Sequence, residues 1–378
     1  MKKFVGTWLL LLLTLMIIGC NNSSNKRQIS ANESRTGNSP VETSLNKLEA
    51  NLDKAKVVII NPQNIIWLET NDSSLLYDIS NISHLNGRML IQSRVFWKLF
   101  SSDGTYVGEV TRKGDAPEDF LWMGNIWNND SLVFLYDYQL NKIQKYNRDG
   151  MYCGYDTIRR GTDYDTNPEE VYITKTDGVF YINQYLGCEP YAHLFCHAED
   201  IYSEPKAIGS RRRKNGHTFY NRVYIDDPNH RLLYWEHIND TLYTVNRQDI
   251  KPLYIFDYGK YSVPKAITSD KSVVNRFLAL NEIEYNNYAY PMRYFQVHNG
   301  KIYFIVAKRK QAYIGCIDEE KNKVAFTEFK SPANINLTPQ LFFNIHGDSI
   351  LLSIIDEDSP ESNPGLLVFP VSELNYPE

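Results

Sequence analysis

Two twelve-residue stretches, 46 residues apart, follow one pattern. Leu99–Val110 reads LFSSDGTYVGEV and Lys145–Asp156 reads KYNRDGMYCGYD, both x-[FY]-x-x-D-G-x-Y-x-G. A D-G pair between strand-like runs marks a hairpin, because glycine reaches positive φ without a steric penalty. Each copy overlaps an aromatic run, VFWKLF (Val95–Phe100) or KIQKY (Lys142–Tyr146). Each of those runs follows a hydrophobic one, RMLIQS (Arg88–Ser93) or SLVFLYD (Ser131–Asp137). The unit is therefore strand, strand, D-G turn, strand, loop, and its length is that of one β-propeller unit. A four-stranded sheet of this kind cannot bury both faces alone. Stacking copies around an axis buries them all and leaves only short edges.

The rest of the chain phases onto the same unit. Aromatic residues are 13% of the chain, with 27 tyrosines. β-Branched and aromatic runs of strand length recur between N-D, D-G, H-N-G and N-P breaks. TDGVFYIN (Thr176–Asn183) with AHLFCH (Ala192–His197) reads as a third unit. RLLYWEHINDTLYTVNR (Arg231–Arg247) with KPLYIFDYG (Lys251–Gly259) reads as a fourth. HNGKIYFIVAKR (His298–Arg309) with AYIGCIDEEKNKVAFTEF (Ala312–Phe329) reads as a fifth, and HGDSILLSIID (His346–Asp356) with GLLVFPV (Gly365–Val371) as a sixth. WLETNDSSLLYDIS (Trp67–Ser80) is expected to supply strands leading into the first unit. KVVIIN (Lys56–Asn61) is left over, and a spare N-terminal strand completes the last blade of many rings. The expectation is an all-β fold: a six-bladed propeller of four-stranded antiparallel blades. Five or seven blades and a pair of β-sandwiches compete, but a sandwich pair does not account for the 46-residue echo. Ser269–Asn287 departs from the strand pattern, with Val273, Val274, Phe277, Leu278 and Leu280 near helical spacing.

The N-terminus reads as an address. Lys2 and Lys3 precede an apolar stretch, Phe4–Met16, too short to span a bilayer, and then Ile17-Ile18-Gly19-Cys20. The small residue before a cysteine resembles a bacterial lipobox, which implies cleavage before Cys20, acylation of its thiol and anchoring through the lipid. An ordinary signal peptide would carry a small-x-small site, which Ile17-Ile18-Gly19 fits poorly. The domain reading is a signal peptide over 1–19, a lipidated cysteine and polar tether over 20–50, and the propeller over 51–378. Asn21 follows Cys20 where aspartate would favour inner-membrane retention, and no early acidic cluster resembling a surface-export tag follows. The expected location is the outer membrane, facing the periplasm rather than the cell surface.

Several features together resemble the six-bladed β-propeller lipoproteins of Bacteroidetes. RKGDAPEDF (Arg112–Phe120), after a D-G strand turn, is similar to that family's G-x-G-P-G-E-[FY] loop. INDTLYTV (Ile238–Val245) followed by YIFDYGKYSVP (Tyr254–Pro264) is similar to its N-D-T-[IL]-Y and F-G-K-Y-x-x-P pair. The loop departs from the pattern at Ala116 and Glu118, where the family has glycines, and at Asp119, where it has glutamate. The resemblance implies the fold and the envelope location. It implies no common activity.

Chemistry-bearing residues are sparse. Asp115, Glu118 and Asp119 form the densest acidic loop, a candidate cation site or acid/base pair. The competing reading is a polar inter-blade connection stiffened by Pro117. Asp163 and Asp165 fall short of a calcium loop, and Asp356-Glu357-Asp358 reads as a solvated loop. His193 and His197 fall on one face of a strand but name no third ligand; His217, His230 and His237 are scattered. Cys188 and Cys196 flank a turn and either pair or sit buried; Cys153 and Cys316 match no zinc spacing. The run Arg211–Lys214 reads as a solvated loop. A net charge of −5 without a clustered basic surface argues against a nucleic-acid groove.

Aromatics are the surplus. Trp67, Trp97, Trp122, Trp127 and Trp235 read mostly as inter-blade core. Tyr285, Tyr288, Tyr290 and Tyr294 cluster in YNNYAYPMRY, a candidate platform for a sugar ring or a protein. The site expectation is thus Arg112, Asp115, Glu118, Asp119 and those four tyrosines as binding loops, with Cys20 lipidated and no metal or cofactor. The function expected first is a lipid-anchored binding or scaffold module for a protein, peptide or glycan of the envelope. An enzyme with a lyase or hydrolase site at the axial mouth, and a purely structural envelope component, are the alternatives.

Overall fold

Strand-forming runs broken by turn residues produce 26 strands among the described residues. The computed structural model describes residues 46–377 apart from 78, 86, 94–95, 112, 129–130, 148, 160–167, 169, 174–177, 185–191, 213–220, 225–231, 237–238, 265–266, 268–282, 284–285, 310 and 334. Three short strands come first: β1 (Asn46–Glu49), β2 (Lys56–Ile59) and β3 (Ile65–Trp67). The first sheet is β4 (Asn81–Leu85), β5 (Arg88–Ser93), β6 (Phe96–Ser101) and β7 (Tyr106–Thr111). The second is β8 (Met123–Asn128), β9 (Leu132–Asp137), β10 (Lys142–Asn147) and β11 (Tyr152–Thr157). The third is β12 (Glu170–Ile173), β13 (Val179–Gln184), β14 (Ala192–Ala198) and β15 (Lys206–Arg212). The fourth holds β16 (Asn221–Tyr224), β17 (Leu232–Glu236), β18 (Thr241–Val245) and β19 (Ile250–Asp257), with β1 added in parallel beside β19. The fifth holds β20 (Ala289–His298), β21 (Lys301–Lys308), β22 (Gln311–Asp318) and β23 (Lys323–Lys330), with β2 added in parallel beside β23. The sixth holds β24 (Leu337–His346), β25 (Ser349–Asp356) and β26 (Gly365–Pro370), with β3 antiparallel beside β26.

The first strands of neighbouring sheets approach one another, β8 with β12, β16 with β20, β20 with β24, and β24 with β4. They are the inner strands of a six-bladed propeller. Apolar clusters fill the boundaries between consecutive blades. Leu90, Trp97 and Leu99 meet Val133, Leu135 and Tyr146 between the first and second blades. Phe342 and Leu351 meet Ile82, Met89 and Phe100 between the sixth and the first. Side-chain amides stitch the inner strands as well. Asn125 donates to the Val171 carbonyl at 2.7 Å and accepts from its N–H at 3.0 Å. Gln296 does the same to Ile345, at 3.0 and 2.7 Å. Asn344 Nδ2 donates to the Ile82 carbonyl at 3.0 Å.

Three expectations change. KVVI is not the strand of the sixth blade; it extends the fifth, and Ile65–Trp67 takes the sixth-blade position. Beyond Trp67, residues 68–77 form turns and bends rather than strands, because Asn71-Asp72-Ser73-Ser74 caps its own backbone. Residues 46–49, read as the end of the tether, pair with β19. The helical pattern at 269–287 lies almost entirely outside the described residues.

Both D-G pairs are hairpin turns between the third and fourth strands of their blades. Gly104 N–H donates to Ser101 O, and Gly150 N–H to Asn147 O, each at 3.0 Å. The two glycines are left-handed, at φ +93° and +80°, so each loop has three residues ending on a glycine in the bulge position. Phe100–Tyr106 and Tyr146–Tyr152 then make the same edge-to-face contact, at 5.6 and 5.8 Å. The following bulge is copied as well, at Val107 and at Cys153. Each glycine seats against the outer strand of the preceding blade: Gly104 on the Trp67 carbonyl of β3, Gly150 on Val110 of β7.

Strand direction alternates within a blade. First–second and third–fourth turns therefore share one face of the disk, while second–third turns and inter-blade connections share the other. The D-G turns lie on the first face. The described parts of the connections after β7 and β19 lie on the second.

Candidate functional site

The connection from β7 to β8 is built on its own backbone. Lys113 bridges Phe120, and Gly114 N–H donates to the Phe120 carbonyl at 3.1 Å. Phe120 is buried in the core between the first two blades. Asp119 is 4% exposed. Its N–H donates to Ala116 O at 2.9 Å, and its Oδ2 accepts from Ala116 N–H at 3.3 Å. The carboxylate fills the space a Cβ at Gly114 would need, which is why residue 114 has none. Two buried side chains of β10 hold the loop from below. Gln144 Nε2 donates to the carbonyls of Asp119 and Pro117 at 2.6 and 3.3 Å. Tyr146 OH donates to Glu118 O at 2.7 Å, and burial raises this phenol well above its ordinary pKa, keeping it a donor.

Asp119 is thus a turn-forming residue folded onto its own loop. Asp115 and Glu118 keep exposed side chains, with Glu118 held through its backbone carbonyl. Arg112 lies outside the described residues. Ala116 and Glu118 are not among the residues with positive φ, so the loop does without the glycines of the resembling pattern.

Asp137, at the end of β9 and fully buried, joins this loop to the next turn. Its Oδ2 accepts Leu121 N–H at 2.7 Å, and its Oδ1 accepts Trp122 N–H at 3.4 Å, Gln139 N–H at 3.0 Å and Leu140 N–H at 3.1 Å. Four backbone donors converge on one carboxylate. Tyr138 N–H in turn donates to Trp122 O at 3.1 Å. The result is a fixed backbone carrying a tryptophan that is 53% exposed. Tyr138 lies 5.9 Å from the Trp122 ring at an interplanar angle of 57°. Lys113 Nζ stands 5.1 Å from the same ring, a cation–π contact. On the same blade, Lys142 Nζ lies 5.1 Å from the ring of Tyr155, which is 54% exposed. Exposed rings edged by cations can stack on a sugar face or on peptide groups.

Of the four tyrosines expected as a platform, two have described side chains, and these turn toward the core. Tyr290 is 3% exposed and packs with Ile283 and Ala307. Tyr288 is half-buried against the same cluster. The reason is that β20 begins at Ala289, so most of the stretch read as loop is strand. Tyr294 lies in that strand with its side chain outside the described residues, as is all of Tyr285. Sequence reasoning treated Trp122 as core. Its place beyond the last strand of a blade and two residues after the buried Phe120 was the available signal. Asp137 left no signal, because its four donors come from two loops.

Other expected positions resolve simply. Trp97 and Trp235 are core, while Trp67 is 41% exposed. Arg211 and Arg212 end β15 rather than forming a loop; Arg213 and Lys214 lie outside the described residues, as do Cys20, Cys188, Asp163, Asp165, His217, His230 and His237. Cys196 is buried in the core between the second and third blades. His197 packs on Phe180 at 4.9 Å. A histidine pair the sequence did not announce joins the inner strands of the sixth and first blades: His346 and His84 stack at 3.6 Å. Burial first, and His346 second, lower the His84 pKa to about 4. Among the described residues, no group of three or more His, Cys, Asp or Glu is placed to hold a metal ion.

Six four-stranded antiparallel sheets with apolar clusters between consecutive blades define the class: a six-bladed β-propeller. The chain belongs to the family described as "Domain of unknown function (DUF4934)", whose model matches residues 40–359. Among solved structures it is similar to a presumed exported protein of Bacteroides fragilis, at 15% identity and a TM-score of 0.52, over 85% of this chain and 98% of that one. It is also similar to a member of the DUF4221 family from Bacteroides vulgatus, at 11% identity and a TM-score of 0.51, over 82% and 94%. At these identities the likeness shows the fold alone. No curated protein matches the chain.

Proposed function

We propose that this protein is an exported, lipid-anchored propeller of the cell envelope that binds a protein, peptide or glycan partner through one face of the disk. One observation carries the reading: the inter-blade loop is held by Asp137, Gln144 and Tyr146, and it presents Trp122 to solvent beside the partly buried Tyr138, with Lys113 alongside. The lipobox-like Cys20 and the presumed export of the Bacteroides fragilis relative support the envelope location. The test is capture from cross-linked membranes in mild detergent, together with a glycan array, using wild type and Trp122→Ala. Repeated recovery of a partner, or an array signal, that Trp122→Ala loses is the expected result. No partner and a blank array, or binding unaffected by the substitution, overturns it.

A further inference from the structure

The N-terminal strands raise a separate question. β1, β2 and β3 lie in turn on the outer edges of the fourth, fifth and sixth blades, as a strap along the rim. Residues on a strand alternate between faces. In β2, Val58 packs against the core between the fifth and sixth blades, and Ile60, just beyond it, is buried there. The positions facing out are Val57, 48% exposed, and Ile59, 58% exposed. A solvated outer face normally alternates apolar-in with polar-out, and a bare apolar edge invites pairing or burial. Further along the strap, Trp67 of β3 is 41% exposed. The three exposed side chains thus belong to consecutive strands of the strap, on the outer edges of two adjacent blades. Tryptophan is favoured where one end of a ring is apolar and the other wet.

We infer that this arc of the rim, through Val57, Ile59 and Trp67, rests on the surface of a phospholipid bilayer. The inference builds on the lipid-anchor reading given above. The chain outside the described residues decides the occupant: it joins the propeller at β1, so the strands nearest Cys20 along the chain are those of the strap. A lipid on Cys20 would keep the propeller close to the bilayer, and a few apolar groups already concentrated at a surface need little affinity of their own to stay there. With this arc on the membrane, the disk stands on its rim. Both of its faces, including the one carrying Trp122, stay open to a partner.

The test uses the full chain, purified from membranes and reconstituted in phosphatidylethanolamine and phosphatidylglycerol vesicles. Benzoylphenylalanine replaces Ile59 in one sample. In another it replaces Tyr202, which is 61% exposed on the third blade, two blades away from Ile59. The expected result on illumination is a phospholipid adduct several-fold more abundant at 59 than at 202. Equal yields at the two positions, or a cross-linked dimer at 59 in place of a lipid adduct, overturn the inference. Intact mass separates the two readings. A chain without acyl mass on Cys20 removes the anchor and this inference with it. An acylated chain without lipid adducts at 59 removes this inference alone. Val57→Ser with Ile59→Ser leaves the core untouched, and in the supported case it makes the acylated protein's edge as accessible to limited proteolysis on vesicles as in detergent.

Discussion

Replacing Asp137 with asparagine tests the argument that this carboxylate sets the position of Trp122. The change keeps shape and removes one acceptor. In its better orientation, the substituted side chain would keep its oxygen on Trp122, Gln139 and Leu140 and turn its amide toward Leu121 N–H. Two donors would then face each other where a bond of 2.7 Å had been. A hydrogen bond to a charged group contributes about 1.5–3 kcal/mol, so the substitution is expected to cost about 2–3 kcal/mol. For a unit running from Ser44 to Glu378, an unfolding entropy of ~2.1 cal/mol/K per residue amounts to about 0.7 kcal/mol/K. The expected fall in Tm is thus about 3–4 °C. Calorimetry measures it, and hydrogen exchange localises it: the Leu121 amide should exchange faster while amides of the distant β21–β22 ladder do not change. Binding that depends on Trp122 should weaken in the same variant. A Tm within about 1 °C of wild type together with unchanged exchange at Leu121 would refute the reasoning.

Three further outcomes are expected. Gly104→Ala should cost about 2–4 kcal/mol, because positive φ and a collision with the Trp67 carbonyl add, whereas Gly150→Ala meets only the Val110 side chain and should cost about 1–2 kcal/mol. Chemical denaturation ranks the two, and the reverse order would contradict the seating of these turns. Folded His84 titrates near 4 against an ordinary 6.5. Between those values the unfolded chain takes up a proton that the folded chain does not, so stability falls as pH drops from about 6.5 to about 4 and levels off below, by up to about 3 kcal/mol. His84→Phe should flatten that part of the wild-type curve, and identical curves would count against it. Burial raises the Cys316 thiol to about 12; iodoacetamide should therefore label exposed Cys153 in the folded protein and reach Cys316 only after unfolding, as peptide mass spectrometry would show.

Much of the fold was legible because it repeats. A spacing of 46 between Gly104 and Gly150 carries the turn, the aromatic contact and the bulge together, and each depends only on residues near in sequence. The order of the blades followed from the same short runs. The three N-terminal strands were harder. Lys56–Ile59 and Ile65–Trp67 are both short and β-branched, and nothing local distinguishes a fifth strand from a fourth. That choice rests on which outer edge, β23 or β26, each can reach. Tyr290 was hard to read for the same kind of reason: it looks like loop in sequence, but β20 begins at Ala289.

The sequence by itself determined the period, the strand content and the turn glycines, since backbone sterics and alternation act over a few residues. Only the tertiary structure decided which polar groups became scaffold and which aromatic became surface. Asp119 and Trp122 are three residues apart in one polar connection. One is buried and folded on its own backbone, the other half-exposed. What separates them is Gln144, Tyr146 and Asp137 on two strands of the next blade, because a buried polar group must find its partners wherever the fold brings them.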